Sequence, residues 1–129
     1  MRRMAAGVAL LLTVLAGGGL ASTGHATPQQ WAIVNFSDPV AVRGHFLMGP
    51  HLIVHDDARM AKGEPCTSIY EFDPATGQRA LEVEFVCEPV QKEVCDKTTF
   101  SVKRNDAGIN QMTEYQFAGD PEAHGVPIR

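Results

Sequence analysis

From Trp31 onward, short runs of Val, Ile, Phe, Tyr and Thr alternate with turn-forming residues. The turn signals are Ser37-Asp38-Pro39, Arg43-Gly44, Met48-Gly49-Pro50, Gly63-Glu64-Pro65, Asp73-Pro74-Ala75-Thr76-Gly77 and Asn105-Asp106-Ala107-Gly108. Between them the pattern predicts strands at Trp31–Phe36, Val40–Val42, His45–Met48, His51–His55, Cys66–Phe72, Arg79–Cys87, Thr98–Arg104 and Gln111–Ala118. That spacing reads as all-β, a small antiparallel β-barrel or sandwich of six to eight short strands. One segment differs. Asp57-Ala58-Arg59-Met60-Ala61-Lys62 places good helix formers behind potential aspartate caps, with Gly63 and Pro65 as stops. It predicts one short helical turn. The tail from Gly119 to Arg129, with two prolines and two glycines, reads as irregular.

The stretch 66–87 reads as a hairpin. On its second strand Leu81, Val83, Phe85 and Cys87 alternate with Ala80, Glu82, Glu84 and Val86. Side chains alternate between faces along a strand, so the first set is the expected buried face. On the first strand Tyr70 and Phe72 share a face with Cys66 and Ser68. Pairing the apolar faces sets Phe72 against Leu81, Tyr70 against Val83 and Cys66 against Cys87. A shift of two residues would offset the cysteines. A disulfide between Cys66 and Cys87 is therefore expected, with Cys95 free. A Cys87–Cys95 bridge is the runner-up.

The N-terminus changes the picture. Arg2 and Arg3 precede an apolar stretch of 12 residues, Ala5 to Ala16, which Gly17-Gly18-Gly19 breaks. Gly24-His25-Ala26 then supplies small residues at the −3 and −1 positions. This is the pattern of a secretory signal peptide over residues 1–26, with a second cleavage choice after Ala21. The apolar stretch falls short of the roughly 20 residues a membrane helix needs. The expected location is exported, periplasmic or extracellular. The expected organisation is one β domain over 27–118 followed by the tail at 119–129, with no membrane span in the mature chain.

Charge narrows the function classes. The chain of 129 residues carries 11 Lys and Arg against 15 Asp and Glu, net −4. Cleavage would remove two arginines and no acid. Such an acidic domain lacks the clustered basic residues that phosphate backbones require, so no nucleic-acid partner is expected. No serine sits in a G-x-S-x-G elbow and no Gly-rich phosphate loop lies outside the leader, so no catalytic residues are assigned.

Four histidines would survive cleavage: His45, His51, His55 and His124. Three of them fall close together, alongside Met48 and Met60. Folding over Gly49-Pro50 would bring His45 near His51 with Met48 at the tip, and imidazole with thioether suits copper. Against this, His51 and His55 lie four apart on one strand, about 13 Å. No zinc-ribbon or H-E-x-x-H spacing occurs. No metal or other cofactor is therefore assigned. His55-Asp56-Asp57 with Arg59 is the densest polar group, and His51, His55, Asp56 and Arg59 are the candidate binding residues. The bland account of that group is a capping aspartate and an arginine paired to an acid.

His55-Asp56-Asp57-Ala58-Arg59-Met60-Ala61-Lys62-Gly63-Glu64-Pro65-Cys66, with Glu114-Tyr115-Gln116-Phe117-Ala118-Gly119-Asp120 and His124-Gly125-Val126-Pro127, resembles a family of small uncharacterised exported bacterial proteins. The resemblance implies an exported bacterial β-domain and no particular chemistry. Against that resemblance stands one departure, Phe85-Val86-Cys87 where relatives often carry Phe-His-Cys. A metal site general to the family would be weakened here. The function expected from all of this is a non-enzymatic binding or structural module, with a copper-type metal-binding protein as the alternative.

Overall fold

The computed structural model describes residues 29–128. The expected signal peptide at 1–26 and its cleavage sites lie outside the described residues. The elements are β1 (Gln29–Val42), β2 (His45–Asp56), α1 (Asp57–Ala61), β3 (Thr67–Phe72), β4 (Arg79–Phe85), β5 (Glu88–Gln91), β6 (Thr99–Arg104), β7 (Asn110–Gln116) and β8 (Glu122–Gly125). They form one curled sheet in the order β4-β3-β2-β1-β7-β8-β5, with β6 on the other edge of β7. The fold is all-β with one short helix, as expected. The sheet stays open, and it is mixed, because β1 meets β7 in parallel at Ala41–Gln111.

The expected short strands fuse into two long ones. Arg43 and Gly44 have φ of 52° and 85°, and Val42 pairs with His45. A two-residue turn with both φ positive matches the right-handed twist of a hairpin. Ser37-Asp38-Pro39 does not end β1. It forms a register shift between Phe36 and Val40, where Pro39 has no N–H to give. Opposite it, Gly49 takes φ of 84° and β2 runs on through Pro50. The chain therefore does not fold back at Gly49-Pro50, and His45 stays exposed at the far end of the strand.

The hairpin register is also corrected. Ile69, not Tyr70, pairs with Val83, and Tyr70 pairs with Leu81. A shift between Ile69 and Tyr70 accommodates the extra residue on β4. It turns Leu81 outward, 53% exposed, while Val83 and Phe85 stay buried. Simple alternation fails here because a bulge changes which face a residue meets. The tail is not wholly irregular either. Residues 122–125 form β8, which pairs with β7 through Tyr115–His124 and with β5 through Pro89–His124.

The core is a single cluster of buried side chains. Phe36, Val42, Leu47, Ile53, Ile69, Val83, Phe85, Met112, Tyr115, Phe117 and Val126 form one buried cluster, and Cys66 and Cys87 belong to it. Tyr115 is fully buried, and its hydroxyl shares a hydrogen bond with Thr67 Oγ1, which satisfies both groups across the core.

Candidate metal centre

Three connections bring the site together. The first is the link from β2 to β3. Asp56 caps α1, its Oδ1 accepting from the Ala58 and Arg59 amides at 2.9 and 3.2 Å. The helix then stops at Lys62, and Gly63, with φ of 73°, donates to the Met60 carbonyl at 3.0 Å. The chain reverses, and the Asp56 amide donates to the Cys66 carbonyl at 2.9 Å. His55 at the end of β2 and Cys66 at the entrance of β3 become neighbours.

The second is the far end of the β3–β4 hairpin. The Cys66 amide donates to the Phe85 carbonyl at 3.1 Å, and the Cys87 amide reaches Cys66 Sγ at 3.2 Å. The third is β8, which carries His124 into the core beneath Tyr115. Its ring stacks on His55 with centroids 3.9 Å apart.

The result is a closed set of soft donors. One ligand atom each from His55, Cys66 and Cys87 lies within 4.8 Å of the others. Cys87 Sγ stands 2.6 Å from Cys66 Sγ, 3.8 Å from His124 Nδ1 and 4.0 Å from Met60 Sδ. Both cysteines are free thiols. The separation exceeds the roughly 2.05 Å of a disulfide. The hairpin thus brings Cys66 and Cys87 together as the sequence predicts, but unbonded. Cys95 lies elsewhere, its Sγ 3.9 Å from the Phe117 carbonyl.

The histidines of this cluster are sealed and unsatisfied. His55 and His124 are both 0% exposed. Neither ring nitrogen of His55 makes a hydrogen bond, and nor does His124 Nε2. Asp57 Oδ1 lies 3.3 Å from His55 Nδ1 and Glu122 Oε1 lies 3.9 Å from His124 Nδ1, near the rings but without a hydrogen bond to either. An unpaired buried polar group costs roughly 1–3 kcal/mol, so such groups concentrate at functional sites.

Electrostatics agree with the geometry. Burial lowers the His55 pKa, and the carboxylates of Asp57, Asp120 and Asp56 oppose the drop. Burial, then the neighbouring His55, brings His124 down to about 3. Both rings are therefore neutral and free to offer a lone pair. Burial and the adjacent Cys66 push the Cys87 thiol up to about 12. A bound cation would reverse that last effect.

The candidate residues read from the sequence divide. His55 is in the cluster. His51 is not: its Nε2 bonds Glu82 Oε1 at 2.9 Å and its Nδ1 reaches the Gly49 carbonyl at 3.1 Å. Asp56 is a helix cap. Arg59 lies 3.6 Å from Glu84 and 3.8 Å from Glu64 and contributes surface ion pairs. His45 and Met48 are exposed and remote from His55. Sequence reasoning passed over His124, assigned to an irregular tail, and over the cysteines as ligands. One signal was present: His51, Ile53 and His55 share the buried alternation of β2. The ligand spacing carries no motif, because the donors come from separate strand ends. No protein-family model, curated protein or solved structure matches the chain.

Proposed function

We propose that the protein is an exported, non-enzymatic zinc-binding module whose ion is held by His55, Cys66, Cys87 and His124. The observation that carries this reading is the buried His–Cys–Cys–His cluster whose imidazole nitrogens have no other partner. Two thiolates and two imidazoles form an S2N2 set, which suits tetrahedral zinc. Charge favours a divalent ion. Zn²⁺ with two thiolates is neutral, whereas a monovalent ion leaves a buried negative charge near Asp56, Asp57 and Asp120. Four protein donors in a sealed core leave no open position for substrate, which supports binding rather than catalysis. The His124 ring stacks on His55 and turns out of that stack to share the ion.

Met60 supports a second reading. Its thioether, 4.0 Å from Cys87 Sγ, is a soft donor that copper(I) would use and zinc would not. Zinc and copper(I) titrations of reduced protein against a competing chelator decide between them. The zinc reading expects one zinc per chain and none in the Cys66→Ser/Cys87→Ser double variant. Equal zinc affinity in both proteins overturns it.

Export is part of the same proposal. It is supported by Arg2-Arg3, the Ala5–Ala16 stretch and Gly24-His25-Ala26. The expected mature N-terminus is Thr27, or Ser22 from the second site. Intact mass of the protein from culture medium or periplasm checks this, and a cell-retained product beginning at Met1 rules it out. In such a compartment the Cys66–Cys87 staple expected from the sequence is also part of the proposal, as the metal-free oxidised state.

A further inference from the structure

The sulfurs of Cys66 and Cys87 stand 2.6 Å apart and unbonded. Two adjacent free thiols have two chemical end states. A disulfide needs about 2.05 Å between the sulfurs. Two thiolates on one tetrahedral zinc, with bonds of about 2.3 Å, sit about 3.8 Å apart. Each state excludes the other, since a disulfide sulfur is no thiolate ligand.

The geometry points to a redox-gated metal site: oxidation of Cys66 and Cys87 to a disulfide releases the ion, and reduction restores binding. This rests on the metal-binding reading above and adds its regulation. Two features of the fold support it. Cys66 is held on both sides, by the Asp56 amide and the Phe85 carbonyl, whereas Cys87 lies past the end of β4 with its amide on Cys66 Sγ, so the Cys87 sulfur is the one placed to move. The third thiol does not intrude, because Cys95 packs against the Phe117 carbonyl.

The oxidant is an external disulfide R–S–S–R, a class that oxidising compartments supply. One cysteine sulfur attacks it, forms a mixed disulfide and expels one thiolate. The second cysteine attacks the protein sulfur of that mixed disulfide, closes the Cys66–Cys87 bond and expels the second thiolate. With zinc bound, the products are the protein disulfide, two RS⁻ and Zn²⁺, and charge is conserved. Without zinc, the two thiol protons leave with the two expelled thiolates. Two electrons pass from the cysteine sulfurs to the oxidant in either case. The thiols are only 1% and 4% exposed, so attack needs local opening near α1 and is slow in the closed fold.

The test is a redox titration of the purified protein in glutathione buffers. Intact mass after acid quenching reads the disulfide, and peptide mapping reads the pairing. It is run without metal and with free zinc buffered at about 100 times its dissociation constant for the reduced protein. Zinc stabilises the dithiol only, so the midpoint ratio of oxidised glutathione to reduced glutathione squared should rise about 100-fold, or about 60 mV. Oxidised protein should show no zinc uptake, and added reductant should restore it. Cys95→Ser should keep the midpoint within about twofold. Reduced protein that binds zinc but titrates at the same midpoint with and without it overturns the gate and leaves the metal site standing. A Cys87–Cys95 disulfide overturns the gate as well. Reduced protein that binds no zinc overturns the functional reading, and the gate with it.

Discussion

His51 and His55 stand on the same strand and the same face, and both are sealed from solvent, at 2% and 0% exposure. They are about 13 Å apart along β2. Their surroundings differ in one respect. Both nitrogens of His51 lie within hydrogen-bond distance of an oxygen, Glu82 Oε1 at 2.9 Å and the Gly49 carbonyl at 3.1 Å. Neither nitrogen of His55 is answered, and two thiols and a second unsatisfied histidine face it instead. Burial and residue type are the same at both positions, so neither distinguishes them. The accounting of hydrogen-bond partners does. His51 is a core histidine that holds β2 to β4, and His55 is a donor awaiting an acceptor.

Metal binding gives the largest expected contrast. His55→Ala, or loss of either cluster cysteine, should weaken zinc binding by at least about 100-fold, whereas His51→Ala should change it by less than about threefold. Chelator competition on reduced protein measures both. Comparable losses at the two histidines would erase the distinction.

Acid sharpens the contrast in the metal-free protein. His124 falls from an ordinary 6.5 to about 3 in the fold, so the unfolded chain binds the proton first. The stability this gives is fully present above about 6.5 and is lost as pH falls from there toward 3. Between pH 7 and pH 5 the loss from His124 should be about 2 kcal/mol, and the lowered pKa of His55 adds to it in the same direction. Urea unfolding at the two pH values measures it. His124→Leu should flatten the profile, and an unchanged slope in that variant would show that the ring is not held neutral.

A sign difference should appear in the same unfolding assay at pH 7 without metal. His51→Leu leaves the Gly49 carbonyl and Glu82 without their partner and should destabilise by about 1–2 kcal/mol. His55→Leu removes two unanswered nitrogens and should stabilise by about 1 kcal/mol. Destabilisation by both would mean that His55 is as well satisfied as His51. The smallest effect belongs to Glu82→Gln. Its carboxylate is 24% exposed and the amide can still accept from His51, so a loss below about 1 kcal/mol is expected.

Much of the local structure was legible in the chain itself. Asp56, Gly63 and Pro65 bound α1 as their chemistry requires. Arg43-Gly44 makes the hairpin turn, and the apolar runs became strands. The breaks at Ser37-Asp38-Pro39 and Gly49-Pro50 were misread because a bulge and a turn use the same residues. Only the partner strand decides which one forms. The outward turn of Leu81 follows from the shift on β4, which is likewise a property of two strands.

The candidate site was legible only in fragments. His55 stood out by its polar neighbours, which proved to be a cap and surface ion pairs. Cys66 and Cys87 were brought together on paper by strand pairing, because a hairpin is local and its partners follow from sequence distance. His124 could not be placed that way. It reaches His55 only because β8 pairs with both β5 and β7 while the sheet curls. Sequence by itself determined the short-range features: turns, cap, strand periodicity and the nearness of the two thiols. Tertiary structure alone decided which buried histidine has partners and which has none. Satisfaction of a buried polar group depends on every element packed around it, and those elements are distant along the chain.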